Sequence, residues 1–257
     1  MTPKNWGERW RALCETIWRV PRCRVGGTDV LVALTRERGR NEELRRLVRE
    51  RADVVETPLT TTRYRPLQEV HDEVRAVRHF GLFRSLVVTS SRSERYVAVA
   101  RDALIDHCEV FSVGAHTSEV LERGGVFATR ESSGTSRDLV PFVTEGPVLI
   151  LGAVNGRDEM SRELNDRDLE SVVVECYETL PAALEVDSVE HLRRADVVFI
   201  GAPSAWRVAR SVVSDDAWVL VPGETTMDEV RMTHQRVLVG WGAKFDDAWQ
   251  QITNATS

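Results

Sequence analysis

The sequence predicts an α/β protein built from two doubly wound parallel sheets, and three observations carry that expectation. From Val30 onward, short β-branched runs alternate with charged stretches of helical periodicity. That is the pattern of parallel strands joined by crossover helices that cover both sheet faces. Ten such runs are many for one sheet. The chain also repeats itself. LVALTRERGRNEELRRLVRERADVVET, from Leu31, answers LILGAVNGRDEMSRELNDRDLESVVVECYET, from Leu149, with Gly39-Arg40 opposite Gly156-Arg157 and Glu42 opposite Glu159. LVVTSSRSERYV, from Leu86, answers VVFIGAPSAWRV, from Val197, and EVFSVGAHTSEVLERGG answers WVLVPGETTMDEVRM. A repeat of this length is an internal duplication and not a short-period solenoid. It implies two sheets of about five strands, and taken alone it divides the chain near residue 146.

The elements follow in order. Trp6, Trp10, Leu13, Ile17 and Trp18 recur at helical spacing, so residues 7–20 read as an amphipathic helix packing on the body of the protein. Strands are expected at 30–35, 53–60, 85–90, 109–113, 126–129, 147–151, 170–178, 196–201, 217–221 and 236–239. Helices are expected at 41–51, 66–79, 93–104, 116–123, 136–144, 157–167, 189–194, 204–212, 225–232 and 243–252. Val172–Val174 are three consecutive β-branched residues, which mark a buried strand, and Pro181 marks its end.

Composition excludes several classes. The 257 residues have a net charge of −6, which argues against nucleic-acid binding by bulk electrostatics. No run approaches the ~18 apolar residues of a membrane helix, and the first 29 residues hold no continuous apolar leader, so the expected location is the cytoplasm. Cys14, Cys23, Cys108 and Cys176 are scattered without a CxxC pair, as reduced thiols are. No histidine pair has metal-ligand spacing. GAVNG is not a GxGxxG fingerprint, and neither a phosphate loop nor a GxSxG elbow is present.

In parallel sheets ligands bind beyond the carboxyl ends of the strands, where helix N-termini present free N–H groups. The turns predicted there carry Thr35, Arg36, Thr89, Ser90, Arg92, Gly114, Thr117, Gly152, Asn155, Arg157, Ser204, Gly223 and Thr226. Glycines, hydroxyls and arginines predominate, which is an anion-binding set. The blander expectation for Ser93, Ser204, Thr117 and Thr226 is that each is a helix N-cap. Cys176 is expected to be an inert thiol on a buried strand. Tyr177 follows it, and a phenol, which ordinarily keeps its proton at neutral pH, can donate one.

Taken together and in order, these motifs resemble the uroporphyrinogen-III synthase family over about residues 29–252. The matching pieces are Thr35-Arg36, the Thr89-Ser90 pair followed by Arg92, VGAHT with Gly114 and Thr117, and LGAVNGRDEM with Arg157. VVVECYET with Tyr177 and Thr179, APSA with Ser204, and PGETT with Thr226 complete the set. The chain departs from the family at Gly201-Ala202, where a Thr-Ser pair is usual, and at Met227.

The resemblance implies two α/β domains joined by two antiparallel linker strands, with a substrate cleft between the domains. The first domain would comprise 29–58 plus 182–257 and the second 64–172. Linkers would run along 59–63 and 173–181, with 1–28 as an N-terminal extension. It implies a monomeric cytoplasmic lyase with no cofactor, no metal and no nucleic-acid or membrane partner. The substrate would be hydroxymethylbilane, a linear tetrapyrrole with eight carboxylates. It would be closed to uroporphyrinogen III with loss of water and inversion of ring D. Tyr177 would then be the catalytic acid, and Arg36, Ser90, Arg92, Gly114, Thr117, Arg157, Ser204 and Thr226 would bind substrate. The alternative is a catalytically impaired homologue that binds an anionic tetrapyrrole or has a regulatory role. A nucleotide-dependent enzyme using LILGAVNGR is disfavoured by the glycine spacing.

Overall fold

A computed structural model describes residues 30–132, 135–156 and 158–256. The helix expected over 7–20 and the candidate Arg157 lie outside the described residues. The described residues divide into two compact units, one running up to Leu59 and resuming at Ala182, the other Thr60–Pro181.

The first unit contains β1 (Leu31–Leu34), α1 (Glu42–Val48) and β2 (Asp53–Glu56). After Pro181 it resumes with α6 (Val186–Arg194), β9 (Val197–Phe199), α7 (Pro203–Ala209), β10 (Trp218–Val221), α8 (Glu224–Arg231), β11 (Val237–Val239) and α9 (Phe245–Thr256). The sheet order is β11-β10-β9-β1-β2, and all four ladders are parallel. Because successive strand residues point to opposite faces, each strand feeds two cores. Ala33, Val198, Ile200, Val219 and Val221 pack with Leu192, Trp206 and Val230 on one face. Val32, Leu34, Val197, Phe199 and Leu220 pack with Leu44, Phe245 and Trp249 on the other. Burial on both faces explains why these strands read as unbroken apolar runs and not as alternations.

The second unit contains β3 (Thr60–Tyr64), α2 (Leu67–Ala76), β4 (Phe83–Val88), α3 (Val97–Ala100), β5 (Leu104–Val113) and α4 (Ala115–Arg123). It continues with β6 (Arg130–Ser132), β7 (Val148–Ala153), α5 (Glu159–Asn165) and β8 (Ser171–Pro181). Its sheet order is β3-β8-β7-β4-β5-β6. Five strands are parallel, and β3 joins the edge antiparallel to β8, with Thr60 opposite Pro181 and Tyr64 opposite Tyr177.

Both sheets have the same spatial order once the repeats are aligned. β2, β1, β9, β10 and β11 correspond to β8, β7, β4, β5 and β6. Each sheet therefore takes the first two strands of one sequence copy and the last three of the other. This is why the repeat divides the chain near residue 146 while the compact units divide it at 59 and 181.

Several boundaries differ from expectation for local reasons. The run 53–60 is two strands, because Pro58 has no N–H to give a ladder. The strand expected at 126–129 forms later, at Arg130–Ser132. Gly125 (φ +76°) and the Val126 N–H bond to the Leu121 carbonyl first terminate α4. Residues 137–142 form a 3₁₀ helix around Pro141 in place of an α-helix. The stretch 93–104 breaks into a 3₁₀ turn at Ser91–Tyr96, the four-residue α3 and a second 3₁₀ turn at Arg101–Ala103.

Candidate active site

In each parallel sheet, one place has neighbouring strands whose following helices leave to opposite faces. That crevice is the usual ligand site. It lies between β1 and β9 in the first unit and between β4 and β7 in the second. Both crevices are held by a threonine. Thr35 donates its hydroxyl to the Phe199 carbonyl across the first. Thr89 donates to the Leu151 carbonyl across the second at 3.0 Å, and Ser93 adds a bond to the same oxygen at 3.3 Å.

The second unit builds the richer site. Tyr177 is the one β8 residue shared by two ladders, opposite Ala153 in β7 and Tyr64 in β3. Its carbonyl also accepts the Val154 N–H at 2.7 Å. Its backbone is thus fixed on both flanks, and its side chain is only 6% exposed. Among the described residues its hydroxyl has no hydrogen-bond partner. The Arg92 guanidinium lies over the Tyr177 ring, 5.6 Å from the centroid, and is aimed by its Nε–H bond to Thr62 Oγ1 at 2.8 Å. Ser90 Oγ accepts the Arg92 N–H at 3.3 Å, which caps the turn that carries the arginine. Beside this group opens a cavity of about 510 Å³. Thr89, Gly152, Asn155, Glu175 and Tyr177 supply its polar wall, and Val113, Ile150, Met160 and Val173 are among its apolar side.

The other candidates are placed as follows. Gly114 (φ +81°) is the N-cap of α4, and Thr117 is the helix's third residue. In the first unit Gly223 is the N-cap of α8, and Thr226 again stands third. Thr117 and Thr226 are therefore not caps, contrary to the simplest expectation, and neither are Ser93 and Ser204. Ser90 and Ala202 occupy the cap positions before those two serines. The Thr117 and Thr226 side chains are 4% and 5% exposed, and among the described residues neither hydroxyl has a hydrogen-bond partner. With glycine caps, the first-turn N–H groups of both helices meet no side-chain acceptor from the cap. Ser204 is exposed on the second position of α7.

Arg36 lies beside Gly201 at the first crevice. A Cβ on that glycine would stand 3.6 Å from Arg36 Cγ, and the Arg36 guanidinium sits 5.1 Å from the centre of the Trp241 ring. Sequence reasoning missed Trp241, Thr62 and Glu175. Each acts through a partner distant in the chain, and none stands in a recognisable motif. Burial pushes the Cys176 thiol up to about 12, so it is an inert core group and not a nucleophile.

The fold and its two crevices define an α/β protein of two doubly wound sheets, with donor-rich turns at the carboxyl ends of the strands. Residues 42–240 match the family described as uroporphyrinogen-III synthase HemD. A comparison with curated proteins found no match. Among solved structures, a mutant uroporphyrinogen III synthase from Thermus thermophilus aligns with a TM-score of 0.58 at 18% identity, covering 88% of this chain and 98% of that one. The uroporphyrinogen-III synthetase of Helicobacter pylori aligns with a TM-score of 0.57 at 12% identity, covering 89% and 100%. At such identities these structures speak to the fold alone. The family match spans most of the chain, and the chain belongs to the uroporphyrinogen-III synthase family, a family of tetrapyrrole-biosynthesis enzymes. Among the described residues no helix is long and apolar enough to cross a membrane.

Proposed function

We propose that this protein converts hydroxymethylbilane to uroporphyrinogen III, acting as a lyase without a protein nucleophile. The observation that carries the reading is Tyr177: a buried phenol whose hydroxyl has no hydrogen-bond partner among the described residues, lining a cavity and lying beneath Arg92. In this reading Tyr177 gives its proton to the departing hydroxyl group, which leaves as water. The substrate's own pyrrole carbon then attacks, so the protein's remaining task is to bind eight carboxylates and hold the chain folded. Donors suited to those carboxylates are Arg36, Ser204 and Thr226 in the first unit, and Ser90, Arg92, Gly114 and Thr117 in the second, with Arg157 a candidate from its sequence match alone. The two glycine-capped helices offer backbone N–H groups as well. Ser90 contributes chiefly by capping the turn that aims Arg92.

The test is direct. Hydroxymethylbilane is supplied, the products are oxidised, and type I and type III isomers are separated by chromatography. Type III product in excess over the spontaneous background supports the enzyme. Type I alone at the spontaneous rate refutes it, and tight binding without turnover would identify an impaired homologue. The replacement of the usual Thr-Ser pair by Gly201-Ala202 removes two hydroxyl donors at the first crevice, so any loss of affinity is expected there.

A further inference from the structure

The cavity beside Tyr177 is not lined by donors alone. Two carboxylates, Asp158 and Glu175, also border it. Asp158 is engaged by Arg162 at 2.9 Å. Glu175 differs: its Oε1 accepts the Asn155 backbone N–H at 3.0 Å, and its second oxygen has no hydrogen-bond partner among the described residues. Its charge is met only at longer range by Arg65, which is itself ion-paired to Glu73. Asn155 holds φ +52°, the left-handed conformation asparagine tolerates better than most residues, and it turns this N–H onto the carboxylate. Glu175 and Tyr177 border the same cavity from one strand, β8.

A fixed anion is a liability in a site for a polyanion unless something positive meets it. A linear tetrapyrrole carries four pyrrole N–H groups, donors that a site made only of N–H, hydroxyl and guanidinium groups leaves unsatisfied. We propose that Glu175 is a second catalytic residue, accepting a hydrogen bond from the N–H of the pyrrole that loses its hydroxyl group. The inference rests on the reaction proposed above.

When the C–O bond of the hydroxymethyl group breaks, the electron pair leaves with oxygen, and the Tyr177 proton completes a water molecule. The pyrrole nitrogen's lone pair fills the vacancy, leaving a cationic azafulvenium whose charge rests largely on that nitrogen. Glu175 Oε2 faces the charged N–H and stabilises it, and the proton stays on nitrogen. The substituted α-carbon of the terminal ring attacks first and forms a spiro intermediate. Its breakdown and reclosure invert that ring, and at the final closure the ring's other α-carbon loses its proton, which returns to Tyr177. The charge Glu175 stabilises exists only after the bond begins to break, so its effect belongs to the transition state and not to substrate binding.

That timing supplies the test. Glu175→Gln keeps the shape and an oxygen for the Asn155 N–H while removing the charge. Turnover of hydroxymethylbilane is measured for wild type and variant, together with the dissociation constant of the product, uroporphyrinogen III, which never carries the cation. The expected result is a kcat lower by about 10- to 100-fold, the worth of one hydrogen bond to a charged group, with KM and product affinity within about threefold. Unchanged product affinity also reports that the variant is folded. A kcat within threefold of wild type overturns the role of Glu175, as does a rate loss matched by an equal loss of product affinity. Wild-type protein that yields no type III isomer overturns the reaction and this role together, so the two failures are distinguishable.

Discussion

Replacing Tyr177 by phenylalanine should separate catalysis from stability. The ring is 6% exposed and packs in the core with Val174 and Cys176, and phenylalanine keeps that packing. The hydroxyl it removes has no hydrogen-bond partner among the described residues, so no group is orphaned by its loss. Folding stability should then change by less than about 0.5 kcal/mol, a melting shift of about 1–2 °C for a protein of this size. The rate tells a different story. Loss of a positioned general acid typically costs about 10²-fold, which corresponds to about 2.7 kcal/mol in the barrier. The assay is steady-state turnover of hydroxymethylbilane with isomer analysis, beside a thermal melt. A slower enzymatic path competes less well with spontaneous closure, so the type I fraction should rise as kcat falls. A variant with wild-type melting and a kcat within threefold of wild type would refute the acid role of Tyr177.

Other expectations follow from single contacts. Thr62→Val removes the oxygen that accepts the Arg92 Nε–H at 2.8 Å. KM should rise several-fold with kcat within about twofold, read from the same assay. Gly240→Ala places a Cβ 2.8 Å from Leu220 Cδ2 and 3.3 Å from the Ala248 Cβ, both on fully or nearly fully buried residues. Overpacking of this kind costs about 1–3 kcal/mol, measurable by urea unfolding. Burial raises the Cys176 thiol from 9.0 to about 12, with a weaker opposing contribution from the Ser93 hydroxyl. The native state therefore holds that proton more tightly than the unfolded chain. The corresponding stability is present in full below pH 9 and is lost as pH climbs toward 12. Cys176→Ala should show a shallower alkaline decline in melting temperature than wild type, and identical slopes would contradict it.

Much of this architecture could be read from residue pattern, because sheets buried on both faces leave continuous apolar runs such as Val148–Leu151 and Val197–Ile200. The duplication was legible for the same reason: it preserves glycines and polar residues at turns as well as apolar runs. Local punctuation was harder. Pro58 splits the run 53–60 into two strands, and Gly124-Gly125 delay β6 by ending α4. At the candidate site, residue types in the post-strand turns were visible, but their partnerships were not. Arg92 meets Tyr177 and Thr62 only because β3 and β8 pair at the sheet edge. Glycine occupies both caps before Thr117 and Thr226, so preference for serine and threonine at caps pointed to the wrong residue.

The crossed arrangement of the two sequence copies also sets an order of assembly during synthesis. β1 and β2 emerge first, and β1 then waits for β9, which begins only at Val197. At about 5–20 residues per second that wait is on the order of ten seconds, with one side of β1 unpaired and open to strangers. The intervening segment, Thr60–Pro181, holds every strand of its own sheet in one continuous stretch. It has what it needs to fold while the first sheet is still waiting. Thr60 and Pro181 face each other in one ladder, so this insert begins and ends at the same place. When it closes, it returns the nascent chain to the segment after β2, where the Ala182 N–H bonds the Leu59 carbonyl, one strand away from the open side of β1.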